Sequence, residues 1–193
     1  NGYIGTRGTV EEGVHTDNID SCEGTYLNGL FYQEKIPYGE IAFGMATDND
    51  RMLQVPDGKG LLITVKGQAF YPASAKLAES RGVVDIASQR VLNMKSASLE
   101  RSQLMATDDG KLLMVTSRRM VSLSDQHLIT MQYHLTPLNF SGPIQIHSSL
   151  DAGYQSIHSD NDPRAGELNI KSSLTLLDQQ QNEAQLLMLH QVN

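Results

Sequence analysis

Ile129-Thr130-Met131-Gln132-Tyr133-His134-Leu135 alternates apolar and polar side chains without a break. Successive Cβ atoms of an extended chain point to opposite faces, so Ile129, Met131, Tyr133 and Leu135 share one face of a strand and Thr130, Gln132 and His134 the other. Pro137 has no N–H to give to a ladder and ends the strand. Beyond it, Ser141-Gly142-Pro143 leads into Ile144, Ile146 and Leu150 on alternate positions, which predicts a second strand returning as a hairpin.

Working upstream, the stretches from Val91 to Ala106 and from Leu112 to Val121 flank Thr107-Asp108-Asp109-Gly110-Lys111, whose Asp-Gly pair suits a tight turn between antiparallel strands. Leu61-Leu62-Ile63-Thr64-Val65 follows Pro56-Asp57-Gly58, where Pro sets φ and Gly accepts a positive φ, so a turn into a strand is expected. Downstream of Asp160-Asn161-Asp162-Pro163, a strand is expected within Leu168 to Leu177 and a last one from Gln185 to Val192. Gln179-Gln180-Gln181-Asn182-Glu183 between them reads as a polar turn or linker. Ala73 to Arg81 is the one stretch suited to a short helix or single turn. Many short strands need a second layer to cover their apolar faces. The fold class is therefore all-β, two packed antiparallel sheets, with strand order left open.

A chain of 193 residues fits one domain with one core, and 39% hydrophobic with 19% charged residues is a globular balance. The formal net charge of -7 lacks the clustered Lys and Arg surplus that phosphate backbones require, so nucleic acid is excluded as a partner class. The single Cys22 closes no internal disulfide, which suits a reducing compartment, and no apolar run reaches the roughly 20 residues of a membrane span. A cytoplasmic protein without membrane contact is expected. Asn1 stands where a Met would begin a chain, and Asn1-Gly2-Tyr3-Ile4-Gly5 reads as the interior of a folded segment with residues upstream.

Metal ligation finds no support in the histidines His15, His127, His134, His147, His158 and His190, which show no helical i, i+4 pair and no neighbouring Cys. His134 and His147, on strands expected to be adjacent, are positioned to meet across a sheet face. Asp17-Asn18-Ile19-Asp20, Asp48-Asn49-Asp50 and Asp160-Asn161-Asp162 lack the Gly and distal Glu of a calcium loop and read as turns. Arg118 and Arg119 are neighbours on a strand, so they face opposite ways and form no single anion clamp; one is expected packed, the other solvated. Cys22, beside Asp20 and Glu23, has surroundings that raise its pKa and suit a structural thiol. Trp is absent, and Phe31, Tyr32 and Tyr38 are the aromatic cluster left for a sugar-binding platform.

Three segments together resemble the amino-terminal domain of glycoside hydrolase family 65, whose members include maltose, trehalose and kojibiose phosphorylases and some trehalases. They are Asn1-Gly2-Tyr3-Ile4-Gly5-Thr6-Arg7-Gly8 with Glu11-Glu12-Gly13, then Gly24-Thr25-Tyr26-Leu27-Asn28-Gly29-Leu30-Phe31-Tyr32, then a long third block. That block runs from Arg90-Val91-Leu92-Asn93-Met94-Lys95 and Leu99 through Ser117-Arg118-Arg119-Met120-Val121-Ser122-Leu123 to Leu135-Thr136-Pro137-Leu138-Asn139 and Gly142-Pro143.

The resemblance implies a large super-sandwich of the galactose mutarotase-like type, followed in the family by a helical linker and an (α/α)6 catalytic barrel that lie outside this chain. It implies a noncatalytic domain of an inverting disaccharide phosphorylase or hydrolase, with inorganic phosphate as co-substrate, no cofactor, and no catalytic or metal-binding residue among these positions. The partners it implies are the enzyme's own barrel, the disaccharide substrate and a second subunit in a homodimer. It sets the opening segment close to the barrel, which makes Tyr3 and Arg7 the candidates for interdomain or substrate-pocket contacts. Two other readings stay open: an independent carbohydrate-binding module, and a mutarotase-like enzyme using His134 with Glu100 as a proton-moving pair.

Overall fold

The computed structural model describes residues 1–12, 24–36, 43–70, 83–107, 109–152 and 174–192. Every regular element among them is a strand: β1 (Ile4–Thr6), β2 (Thr25–Lys35), β3 (Asp48–Val55), β4 (Asp57–Val65), β5 (Gln68–Phe70), β6 (Val83–Asn93), β7 (Ser98–Thr107), β8 (Leu112–Val121), β9 (Ile129–Pro137), β10 (Ile144–Asp151), β11 (Leu174–Gln181) and β12 (Leu186–Val192). They form four sheets, ordered β1-β2-β3, β10-β4-β5, β6-β7-β8-β9 and β11-β12. No helix among the described residues is long and apolar enough to cross a membrane. The expected strand or helix positions 71–82, 153–173 and the Cys22, Asp17–Asp20 and Asp160–Asp162 readings lie outside the described residues.

Two compact units emerge. The first holds residues 10–12 and the strands between Lys59 and Ser149, and it is a two-layer sandwich. Period-2 alternation aims Met105 of β7 and Leu113 and Val115 of β8 inward, where they meet Ile63 and Val65 of β4. Tyr133, Leu135, Phe140 and Ile144 pack around this core. Ile129, Met131, Tyr133 and Leu135 are half-buried while Thr130, Gln132, His134 and Thr136 are exposed, as the alternation requires. The β7–β8 hairpin closes at Gly110, which takes φ 76°. Its turn is held by Thr107 N–H to Lys111 O at 3.0 Å and Gly110 N–H to Thr107 O at 2.9 Å.

The second unit contains the β1-β2-β3 sheet and the β11–β12 hairpin, all antiparallel. Strands β1 to β3 add regular structure to a stretch whose strands the alternation rule leaves unmarked. The turn expected at Pro56-Asp57-Gly58 is instead continuous extended chain. β3 pairs with β2 and β4 with β5, so Pro56, having no N–H, falls at the point where the chain changes sheets. Asp57 is buried and takes the Thr25 hydroxyl at 3.4 Å. The true reversal comes at Lys66 and Gly67, with φ 51° and 81°, a two-residue turn of the mirror-image type that matches strand twist.

Further expectations are corrected. The run from Val91 to Ala106 breaks into β6 and β7, because the Asn93 side chain accepts from Lys95 N–H at 3.2 Å and Ser96 N–H at 3.1 Å and bends the chain. β10 does not return along β9: Leu112 N–H bonds the Asn139 side chain at 2.7 Å and Leu138 N–H bonds Leu112 O at 3.0 Å, tying the loop back before β10 joins β4. His134 and His147 are consequently in different sheets. Gln179, Gln180 and Gln181 belong to β11, and the turn is Asn182 to Gln185, closed by Asn182 N–H to Gln185 O at 3.0 Å. Asp48-Asn49-Asp50 opens β3 and pairs with Lys35, Glu34 and Gln33, so it is strand and not turn.

Candidate functional site

Tyr3 and Arg7 flank the edge strand β1, two residues either side of Gly5. Alternation puts residues 3, 5 and 7 on one face, and the register sets Gly5 opposite Tyr26 of β2. Gly5 contributes no side chain between its two neighbours, so the face carries a notch of about 460 Å³, walled by Tyr3, Arg7, Tyr26, Asn28 and Met52. The Arg7 guanidinium stands 6.0 Å from the centre of the Tyr26 ring, within cation–π range. Backbone bonds fix the walls: Arg7 N–H to Gly24 O at 2.8 Å and Asn28 N–H to Tyr3 O at 2.7 Å. Tyr3 and Arg7 are thus brought to one concavity. Tyr26, Asn28 and Gly5 were missed as site residues, although the spacing Tyr3-x-Gly5-x-Arg7 is itself the signal for a gap on a strand face.

The first unit holds a buried ionic cluster that sequence reading did not anticipate. Glu11, Glu12, Lys59, Arg101 and Arg119 are all less than 9% exposed. Arg101 lies 3.0 Å from Glu11 and donates to Glu12 and Gln103, Arg119 lies 3.8 Å from Glu11, and the Tyr133 hydroxyl donates to Glu12. Burial alone would lower the Arg101 pKa, but Glu12 and Glu11 raise it, so it stays charged. Tyr133 is pushed far up by burial and by the Glu12 carboxylate, and stays a proton donor. Parity carried the signal: Arg101 and Arg119 sit in phase with the inward-facing Met105 and Val115.

Lys59 is the third buried cation among these described groups. Burial first, and the nearby Arg119 second, lower its pKa to about 8 against a partial opposing pull from Glu11. Because the folded value lies below the ordinary 10.5, the unfolded chain binds more protons between those pH values. The penalty of burying the charge is fully present below pH 8 and is relieved as pH rises toward 10.5, by at most about 3 kcal/mol. Urea midpoints of the wild type and Lys59→Met at pH 7.5 and pH 10 should therefore show the wild type gaining on the variant at the higher pH. An unchanged gap would refute the assignment.

On the opposite face of the β6-to-β9 sheet a shallow hollow of about 550 Å³ is lined by Val91, Glu100, Arg118, Gln132 and His134. Arg118 is exposed and pairs with Glu100 at 3.5 Å, whereas Arg119 is 4% exposed, the split expected of strand neighbours. Glu100 and His134 share the hollow, but β8 runs between their strands, which separates them by about 10 Å across the sheet. They make no acid–base pair. Phe31 and Tyr32 are consecutive in β2 and face opposite ways, so they form no shared platform, and Tyr38 lies outside the described residues. Among the described residues no group of three or more His, Cys, Asp or Glu is placed to hold a metal ion.

The described strands and the packed core define an all-β sandwich domain. It belongs to the family described as glycosyl hydrolase family 65, N-terminal domain, whose profile matches residues 1–193. It is similar to the alpha,alpha-trehalose phosphorylase of Thermoanaerobacter brockii, with 35% identity over 174 residues, 90% of this chain and 21% of the relative. The kojibiose phosphorylase of Escherichia coli (strain K12) is 29% identical over 152 residues, 79% of this chain and 17% of the relative. An uncharacterized glycosyl hydrolase of Mycobacterium tuberculosis is 25% identical over 190 residues, 98% of this chain and 22% of the relative. The chain thus spans about a fifth of the length of these relatives.

Proposed function

We propose that this chain is the noncatalytic amino-terminal domain of an inverting, cytoplasmic disaccharide phosphorylase or hydrolase acting on α-glucosides, and that it supports the catalytic barrel and its substrate pocket. The observation that carries the reading is the family match along residues 1–193 joined to 35% identity with a trehalose phosphorylase. Inorganic phosphate is the co-substrate in this reading, and the barrel, the disaccharide and a second subunit are the partners. Inversion needs one carboxylic acid at the glycosidic oxygen and an open opposite face for the nucleophile, and both fall to the barrel. Tyr3 and Arg7 contribute contacts to the barrel or to the pocket it shares.

The test is release of glucose 1-phosphate by the full-length protein from maltose, trehalose, kojibiose and nigerose, with and without inorganic phosphate. Phosphate-dependent release is the expected result for a phosphorylase. Phosphate-independent cleavage would assign it to the hydrolases, and absence of cleavage of any of the four would overturn the reading.

A further inference from the structure

We propose that Asn28-Gly29 is a site of spontaneous covalent modification, where the Asn28 side chain passes through a cyclic imide to aspartate and isoaspartate, and that this conversion unfastens the start of β1. The bulge in β2 carries it, independently of the proposed activity. Pairing with β3 lapses between Tyr26, opposite Gln54, and Phe31, opposite Met52, while pairing with β1 covers Thr25 to Leu27. Gly29 therefore lies outside both ladders, although β2 is the middle strand of its sheet. It takes φ 88°, and a Cβ built on it meets nothing within 4 Å. Asn28 and Gly29 are both exposed.

The reaction needs the backbone nitrogen of the following residue to reach the side-chain carbonyl carbon of the asparagine. At Gly29 neither a side chain nor a ladder bond opposes that approach. The Gly29 amide loses its proton to hydroxide, and its nitrogen bonds to Cγ of Asn28. Cγ sheds Nδ2, which takes a proton from water and leaves as ammonia. Water then opens the imide at either carbonyl. Opening at the backbone side gives isoaspartate, whose main chain runs through Cβ and Cγ, and opening at the other side gives aspartate. Water is consumed and ammonia released, with no oxidant, reductant or cofactor.

Hydrogen bonds distinguish Asn28 from the other asparagines. Asn139 is held at both ends of its amide, accepting from Leu112 N–H and donating to Gly110 O, each at 2.7 Å. Asn182 accepts from Ala184 and Gln185 N–H, each at 2.9 Å, and Asn93 from Lys95 and Ser96 N–H. All three precede residues with side chains, Phe140, Glu183 and Met94. Asn1 also precedes a glycine, but its Nδ2 donates to Ser122 O at 2.6 Å and to Gln126 O at 3.0 Å, and both bonds must break first. The Asn28 side chain has a single bond among the described residues, Nδ2 to Gly2 O at 3.0 Å. That bond and Asn28 N–H to Tyr3 O at 2.7 Å tie residues 2 and 3 to β2. Conversion sets a carboxylate oxygen against the Gly2 carbonyl oxygen, two acceptors with no proton between them.

Full-length protein is incubated at neutral and at mildly alkaline pH and digested. The peptide carrying Asn28 is followed by mass and by methylation with protein isoaspartyl methyltransferase. Asn28 is expected to convert at least tenfold faster than Asn1, Asn93, Asn139 or Asn182, at a rate that rises in proportion to hydroxide. Asn28→Gln, which would need a larger imide ring, should lose the methyl label. In Asn28→Asp, hydrogen exchange across Ile4–Thr6 should be several-fold faster than in the wild type, with exchange in β7 and β8 unchanged. Conversion of Asn28 no faster than that of Asn139 overturns the proposal, as does a methyl label that persists in Asn28→Gln. Wild-type exchange across β1 in Asn28→Asp would equally overturn the unfastening.

Discussion

Glu12→Gln is expected to destabilise the folded chain by roughly 3–5 kcal/mol, the range for removing one partner of a buried ion pair. The substitution keeps the shape and a hydrogen-bond acceptor for Tyr133 and Arg101, so the effect isolates the charge. It takes one carboxylate charge away from beside Lys59, Arg101 and Arg119, with every one of these groups less than 9% exposed. For a chain of this size the corresponding fall in Tm is about 10 °C. The same reasoning predicts a coupling: Lys59→Met removes one of the buried cations and should recover at least about 1 kcal/mol in the Glu12→Gln background. A double-mutant cycle from urea unfolding measures it. A loss below about 1 kcal/mol for Glu12→Gln, or additive behaviour of the pair, would mean the cluster is wetter and weaker than its burial implies.

Leu113→Ala should cost about 2–5 kcal/mol, whereas Leu187→Ala should stay within about 0.5 kcal/mol. Both leucines lie on strands with similar apolar content, and the difference is burial: Leu113 is 0% exposed between the layers of the first unit, Leu187 is 55% exposed on β12. Truncation at Leu113 removes transfer energy and leaves a cavity beside Ile63, Val65 and Met105. Denaturant midpoints of the two variants read the contrast directly, and equal shifts would reject the assigned core.

Legibility differed from strand to strand for physical reasons. β9 was readable because one of its faces is packed and the other wet, so its pattern is a strict alternation. The β7–β8 turn was readable because Asp109-Gly110 meets a local backbone demand. β6 and β7 merged into one run because the bend at Asn93 is made by a side chain bonding back to nearby N–H groups, with no Gly or Pro to mark it. Lys66-Gly67 was overlooked in favour of Pro56-Asp57-Gly58, where a proline that punctuates a turn equally well punctuates a change of sheet. Of the notch, Tyr3 and Arg7 were legible through the family resemblance, while Tyr26 and Asn28 came into view with the register of β1 on β2.

By itself the sequence determined the all-β class, the alternating faces of β9, the opposite fates of Arg118 and Arg119, and membership of family 65 through motifs spread along the chain. Tertiary structure decided which strands share a sheet and how the buried charges are neutralised. Alternation says which residues share a face but carries no record of the partner strand, since any two edges offer the same backbone donors and acceptors. In the same way, parity aimed Arg101 into the core, and an approach of Glu12 from 89 positions away made that burial tolerable.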